Sequence, residues 1–590
     1  MKNMFQKHLA LWLTAALILL CFAGCGQNGA SVSEAAASAT SAQESETSVA
    51  APAPEPSDSS TTGTHSAEED SAAEPAAEVI EVSYPLVDET ETLTMWNQTN
   101  PWMTSFFNTY DEHPGYQQAE KITNVHIEFT SASFMEADTQ FQLMIASGDY
   151  SDLIDGTTQM YTGGAAGALS ENIIIELNDL LEEYAPHYSA LRNADPILYK
   201  ETMLDDGTVA CFSPVRDLDN YVYPGNGLLI RQDMLDAVGK EIPETYDELH
   251  DVLTAFQEQL GVPEPLYLDP SGVFQDNLLA AGFDVAIMTQ SGMHQTMPFY
   301  QLDGEVHYGI IEEGFRDYIS MMHQWYEEGL IGTDFTSNSD SRNGNYTAVV
   351  ASNTTGVFLG ANTAISSYIT VGQEADLDYN LVPMSDITKE KGGQTHLGNY
   401  VSHSGTGGLT VTTACENAPL AVQWCDFWYS DQGILIANWG VEGESYTLDE
   451  NGQPHFTDAV TNDPNFSPQE MTGKYCLYTS TVETTLTYDS SKILLEQYPE
   501  IATDAVGIWA DGKDGKYELP ERISMTSEES AEFNGYYSDM ETMVAESIPK
   551  FINGDKSLDQ LDAFVNDLIS MGAEECVVLK QAALDRFNQR

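Results

Sequence analysis

The stretch from Glu91 to Ile154 narrows the architecture more than any other part of this chain. "ETLTMW" (Glu91–Trp96) alternates apolar and polar residues among β-formers, so it reads as a strand ending at Trp96. "NVHIEFTS" (Asn124–Ser131) reads as a second strand, and the polar stretch between them ends in a helix carrying Tyr116 and Ala119. "EADTQFQLMIASGD" (Glu136–Asp149) reads as a helix stopped at Gly148, with Leu153 and Ile154 following as a short buried strand. Parallel strands need a crossover between them. A strand, helix, strand, helix, strand order therefore implies an α/β fold with a partly parallel sheet.

Helices continue downstream. Gly239 closes one, and Thr245 with Glu248 predicts a capping box for the next, whose stripe is 249, 252, 253, 256 and 260. A third covers "EGFRDYISMMHQWYEEGL" with Gly329 at its end. Asn417 as cap and Pro419 in the first turn start a helix presenting Leu420, Ala421, Trp424, Cys425 and Trp428 on one face. Ser557 and Gln560 predict another capping box before Leu558, Leu561, Phe564, Val565 and Leu568.

The amino end has a different character. Lys2 and Lys7 precede an apolar run, Leu9–Phe22, and small residues Ala23 and Gly24, the layout of a secretory signal. As a helix that run spans about 21 Å, too short for a bilayer core of roughly 30 Å. Ala23-Gly24-Cys25 resembles the lipobox of bacterial lipoproteins, which implies cleavage after residue 24 and a lipid on Cys25. Phe22 stands where that motif usually has Leu, and the other reading is an ordinary signal with a chance cysteine. Residues 31–80 hold ten acidic residues and no aromatic, Lys or Arg. Such a segment buries too little apolar surface to offset its ordering entropy. Residues 25–80 therefore read as a lipidated cysteine and a disordered acidic tether.

Composition removes several functions. With 22 basic against 92 acidic residues, the formal charge is −70, which argues against nucleic acid and anionic membrane as partners. The body after the tether, about 505 residues, exceeds one ordinary core and suggests two lobes. The seven cysteines (21, 25, 211, 415, 425, 476 and 576) have no CxxC spacing and form neither a disulfide framework nor a zinc site, so the last five read as small buried hydrophobes. No phosphate-binding G-x-x-x-x-G-K-[ST], H-E-x-x-H or G-x-S-x-G is present. "SHSGTGGLTVTT" (Ser402–Thr413) leads into a strand, not a helix, and reads as a hinge or tight turn. "DGKDGKYE" (Asp511–Glu518) lacks the full calcium-loop pattern and reads as a solvated turn. No acid–base pair stands out among the carboxylates. No cofactor and no metal are implied.

The positive signal is aromatic: 8 Trp, 29 Tyr and 22 Phe. Trp96, Trp102, Tyr161, Tyr223, Phe283, Phe358, Trp439 and Tyr446 fall at strand ends or in loops. Aromatic faces beside Asp, Asn and Arg suit a sugar, whose CH face stacks while its hydroxyls take hydrogen bonds. Core packing is the competing use of each.

Six segments in order resemble family 1 of the extracellular solute-binding proteins, the lipoprotein receptors of carbohydrate ABC importers. They are "FQLMIASGDYSDLI", "DGTVACF", "IRQDMLDAVGKEIPETYDEL", "WYEEGLIGTDF", "NWGVEGESYTLDENGQP" and "KQAALDRF". The resemblance covers residues 84–590. It implies an α/β, two-lobed periplasmic-binding-protein-like fold (type II) with a hinge and an inter-lobe cleft. Lobe 1 would take about 84–215 and 402–490, and lobe 2 about 216–401 and 491–590. It also implies a monomer without enzymatic activity, held on the extracellular face of the cell membrane, that delivers an oligosaccharide to an ABC permease. Ligand-binding candidates are Trp96, Asn97, Asp149, Asp152, Tyr223, Arg231, Phe358, Trp439, Glu442 and Tyr446. Trp96 and Trp439 would be stacking platforms, and Asp152 and Arg231 hydroxyl binders. Asp149 could instead cap a helix, and Glu442 could pair across the lobes. Other readings are a receptor for a membrane sensor kinase, a binding protein for a peptide or other small solute, and a tethered glycan-active enzyme.

Overall fold

The alternation at Glu91 is realised as strand β1, Glu91–Thr99, three residues longer than the apolar pattern alone suggests. Its polar end stays in register because Asn97 Oδ1 accepts a hydrogen bond from Ser131 Oγ of the neighbouring strand at 2.6 Å. The computed structural model describes residues 82–590 except 100–102, 134, 217–220, 222–223, 269–278, 288, 292–293, 297, 339–352, 376–377, 399, 406, 478–486 and 489–499. The signal segment, Cys25, the tether, Trp102 and Tyr223 lie outside the described residues, which fall within one compact unit, Glu78–Arg590.

Helix α1, Pro114–Thr123, carries the chain from β1 to β2, Val125–Ser133, and buries Tyr116 and Ala119 as expected. Helix α2, Ala137–Ser147, ends at Gly148, whose φ of 72° is the left-handed stop read in the sequence. Strand β3, Leu153–Asp155, follows. β1 pairs in parallel with β2 on one side and β3 on the other.

The chain then crosses through β4, Val215–Arg216, to β5, Asn226–Arg231. Helices α3, Gln232–Val238, and α4, Tyr246–Leu260, come next, then α5, Glu313–Glu327. Thr245 Oγ1 caps α4 by accepting from the Glu248 amide at 3.2 Å. The Glu248 carboxylate instead accepts from the Glu244 amide, so the expected box closes one residue early. Leu249, Val252, Leu253 and Phe256 are buried, but Leu260 at the last turn is exposed. Strands β6, Val357–Ala361, and β7, Leu381–Pro383, flank β5 antiparallel to it.

Strand β8, Leu409–Val411, returns to the first sheet antiparallel to β3, giving the order β8-β3-β1-β2. Helix α6, Ala418–Phe427, starts on the expected Asn417 cap and buries Trp424 and Cys425. β9, Thr487–Tyr488, pairs with β4. Helices α7, Glu500–Ala510, α8, Ser527–Ile552, α9, Leu561–Met571, and α10, Ala573–Gln589, complete the chain. Ser557 caps a short 3-10 turn at 558–560 through the Asp559 amide, so α9 begins three residues later than the expected capping box.

Two large cores result. The first joins Leu93, Met95, Ile127, Leu153, Phe212 and Val215 to Leu409, Trp424, Trp428 and Leu477. The second joins Leu228, Ile230, Leu253, Phe256, Phe315 and Trp325 to Phe533, Phe551, Phe564 and Leu584. Each large side chain so buried stabilises the fold by about 1.5–3 kcal/mol. Cys211, Cys425, Cys476 and Cys576 are buried free thiols and Cys415 is half-buried. No described helix is long and apolar enough to cross a membrane.

Candidate functional site

In an open α/β sheet, ligands sit outside the carboxyl ends of the parallel strands, at the point where strand order reverses. Here that point lies between β1 and β3, because the chain goes from β1 to β2 on one side and then to β3 on the other. The segment after β3 turns at Gly156, φ 92°, and Thr157 Oγ1 meets Thr410 Oγ1 at 2.7 Å, tying the turn to β8. Gly408 enters β8 with φ 125°, and a Cβ there would stand 2.4 Å from the Phe212 carbonyl oxygen. Gly407 and Gly408 thus make a tight approach to a strand.

The crossing segments knit together beside this edge. Val215 of β4 bridges Ser404 on one side, while β4 pairs with β9 on the other. The Arg216 amide donates to the His403 carbonyl at 2.8 Å, and the Val401 amide to the Tyr221 carbonyl at 2.8 Å. The His403 ring stacks on Tyr221, 3.5 Å between centroids, and its Nδ1 meets the Asp195 carboxylate. Tyr400 Oη lies 3.1 Å from His403 Nε2.

A cavity of about 260 Å³ opens there with walls from both cores. Thr158, Ala165, Glu201, Met203, Ala210, Ser213 and Gly407 come from the first, and Glu521, Arg522, Ser524 and Arg590 from the chain leading to and leaving the second. Arg522 Nε and Nη2 donate to Ser404 Oγ and its carbonyl, each at 3.2 Å. Glu201 accepts from the Ser404 amide at 2.8 Å. Burial pushes the Glu201 carboxyl up, and that amide and the Arg522 charge pull against it. The lining mixes hydroxyls, two guanidiniums and carboxylates with small apolar side chains, a set suited to a polyhydroxyl ligand.

A larger cavity, about 600 Å³, lies elsewhere. Its lining comes from residues 242–244, 383–395 and 508–512, all on the second-core side. Residues 395–404 and 512–522 run side by side from this cavity to the smaller one, as the bonds Thr395 N–Gly512 O (2.8 Å), Tyr517 N–His396 O (2.9 Å) and Arg522–Ser404 show. The smaller cavity has walls from beside both cores, the larger from the second-core side alone.

None of the nine described residues among the ten read from the sequence lines either cavity, and Tyr223 lies outside the described residues. Trp96 is 3% exposed and packs edge-on against Phe141 at 5.5 Å, and Asn97 is 2% exposed. Asp152 Oδ2 accepts from Thr94 N at 2.7 Å and Thr94 Oγ1 at 2.8 Å, tying β3's approach to β1. Asp149 is exposed just past α2, with its amide bonded to Ser147 Oγ at 3.2 Å. The Arg231 guanidinium is bound to Asp233 at 2.7 and 2.6 Å and Asn353 at 2.7 Å, 3.9 Å over the Tyr379 ring. It stands about 17 Å along β5 from the crossing. Phe358 is wholly buried between Leu229 and Tyr368. Trp439 and Tyr446 come together in a separate small core, Trp439 4.6 Å from Phe456, with Glu442 exposed on the same loop.

Sequence reading missed Thr158, Glu201, Arg522 and Arg590. No local pattern marks them: the two arginines are set apart only by the packing that brings them to the cavity wall. Among the described residues, no group of three or more His, Cys, Asp and Glu is placed to hold a metal.

Comparison with known proteins agrees with this architecture. The model of the bacterial extracellular solute-binding proteins matches residues 98–434, more than half of the chain, and the chain belongs to that family. It is 25% identical over 394 residues to the fructooligosaccharide ABC transporter substrate-binding protein FusA of Streptococcus pneumoniae serotype 4, covering 63% of this chain and 67% of that one. It is 23% identical over 359 residues to lipoprotein LipO of Bacillus subtilis, covering 57% and 65%. These alignments take in only about two thirds of each relative's length. The solved structure of an extracellular solute-binding protein from Bifidobacterium longum subsp. infantis superposes with a TM-score of 0.68 at 18% identity, covering 84% of this chain and 98% of that one. FusA in complex with kestose superposes with a TM-score of 0.61 at 20% identity, covering 84% and 99%. The fold is therefore the two-lobed, type II α/β fold of solute-binding proteins. The family is one of binding proteins, not enzymes.

Proposed function

We propose that this chain is a membrane-anchored extracellular receptor that captures an oligosaccharide between its lobes and hands it, intact, to an ABC permease. The observation that carries this reading is the cavity just past the carboxyl end of β3, walled from beside both cores. Ligand touching both walls favours the arrangement in which they approach, a population shift that a permease can read. The relationship to FusA supports a carbohydrate as cargo, and that to LipO supports a lipid on Cys25 with residues 26–80 as the tether. The cores support a division into lobe 1, about 84–215 and 402–490, and lobe 2, about 216–401 and 491–590.

In this reading Arg522, Glu201, Thr158 and Ser524 bind hydroxyls. Trp96 and Asn97 support the edge from beneath, and Asp149 and Glu442 remain candidates by their exposure. Arg231, Phe358, Asp152, Trp439 and Tyr446 serve packing. The test is equilibrium dialysis of residues 78–590 against a panel of neutral glycans that includes kestose, with mass spectrometry of each glycan afterwards. Saturable binding with the glycan recovered whole supports the reading. A shortened glycan overturns it in favour of an enzyme, and binding of peptides alone overturns the cargo.

A further inference from the structure

Asp205 belongs to the first lobe: it sits in a turn between Leu198 and Val209, both in the first core. Arg586 and Arg590 follow Leu584, which is in the second. The Asp205 carboxylate spans that divide. Its Oδ2 accepts from Arg586 Nε at 2.8 Å, and its Oδ1 from Arg590 Nε at 2.9 Å and Nη2 at 2.6 Å. Glu529 grips the other edge of Arg586 at 2.9 and 2.6 Å, so that guanidinium is fixed from both sides. Lys200 Nζ donates to the Asn588 carbonyl at 2.8 Å, and Arg590 Nη1 to the Lys200 carbonyl at 3.0 Å, which ties the same two segments by their backbones.

The Arg590 side chain is only 2% exposed. Drawing the lobes apart would exchange these charge-assisted bonds for water, so the cluster favours the joined arrangement by the difference between the two. Arg590 also donates to Ser524 Oγ at 2.9 Å, and both residues wall the smaller cavity. The ionic cluster and the cavity therefore share a wall.

We propose that Asp205 is a positioning residue for ligand capture: it latches the lobes in the arrangement that closes the cavity from both sides, holding Arg590 and Ser524 in place. This rests on the cavity being the capture site. The latch populates the capture-ready arrangement before ligand arrives, so less of the binding free energy goes into closure. Asp205 and Arg586 keep about a quarter of their surface in solvent, so dissolved salt reaches and weakens the latch.

The experiment uses the full chain with Cys21→Ser, Cys25→Ser and Cys415→Ser and spin labels at two exposed sites, Met135→Cys on the first lobe and Val578→Cys on the second. Without any glycan, the inter-lobe distance distribution is expected to lengthen as salt rises. Asp205→Ala should lengthen it at all salt concentrations, and Asp205→Glu should restore it. With kestose as probe, Asp205→Ala should weaken binding about tenfold, within the range usual for coupled equilibria. A distribution indifferent to salt and unchanged by Asp205→Ala overturns the latch, whatever happens to the melting temperature. The salt titration of the chain with Asp205 intact decides the matter if Asp205→Ala does not fold. Neither distance measurement involves a glycan, so failure of kestose to bind bears on the proposed cargo and not on the latch.

Discussion

Acid should destabilise this protein through one buried histidine. His113 is 1% exposed, caps α1, and its Nδ1 accepts from the Gly115 amide at 3.1 Å. Burial lowers its pKa from 6.5 to about 3. Protonation would also convert that acceptor into a donor facing another donor. The folded pKa lies below the unfolded one, so the stabilisation is complete above pH 6.5 and is lost as pH falls from 6.5 towards 3. At pH 5 the unfolded chain binds the proton and the folded one does not, over a gap of about 1.5 pH units, which costs about 2 kcal/mol. His113→Asn keeps a capping oxygen and removes the titration. It also leaves a void among Phe107, Tyr110 and Tyr116, which lowers stability by an amount independent of pH. The informative quantity is therefore the slope. Urea unfolding of both proteins at pH 7, 6 and 5 should show the variant losing about 2 kcal/mol less than the parent between pH 7 and pH 5. Equal losses would refute the assignment of a neutral, buried His113.

Other outcomes follow from the same kind of bookkeeping. Burial raises the Glu264 carboxyl from 4.5 to about 7 despite a hydrogen bond from Asn338 at 3.1 Å, so the folded state holds a proton that the unfolded chain releases. Stability should fall as pH rises from about 4.5 to 7, and Glu264→Gln should flatten that limb in thermal melts. Gly408→Ala forces a Cβ onto the Phe212 carbonyl at a φ of 125° and should cost about 2–3 kcal/mol in denaturant unfolding. Arg522→Ala removes charge-assisted bonds at the cavity wall and should weaken glycan binding at least about tenfold by calorimetry.

Much of the fold was legible because its signals are local. The Gly148, Gly239 and Gly329 stops, the Asn417 cap and the stripe Leu249, Val252, Leu253 and Phe256 each depend on neighbours within a few residues. Local chemistry also misled where a competing partner lay nearby: Glu248 reached the Glu244 amide rather than that of Thr245. The site was less legible. Arg231 at a strand end looked available for a hydroxyl, yet Asp233, two residues on, takes both edges of its fork, and Asn353, far along the chain, takes the rest. With 92 acidic residues, spacing cannot select the one that meets a given arginine. Asp205 and Arg590 are 385 positions apart, and only the packing of two cores brings them together. Aromatics at strand ends were ambiguous for a related reason: Trp96 and Phe358 lie next to sheet interiors that bury any large apolar side chain within reach.

The central claim is capture between the lobes, and amide hydrogen exchange with and without a bound glycan tests it most directly. The account predicts simultaneous protection at residues 156–165 and 201–213 on one side and 521–524 on the other. Protection confined to one lobe, for instance to residues 383–395 and 508–512 around the larger cavity, would contradict it.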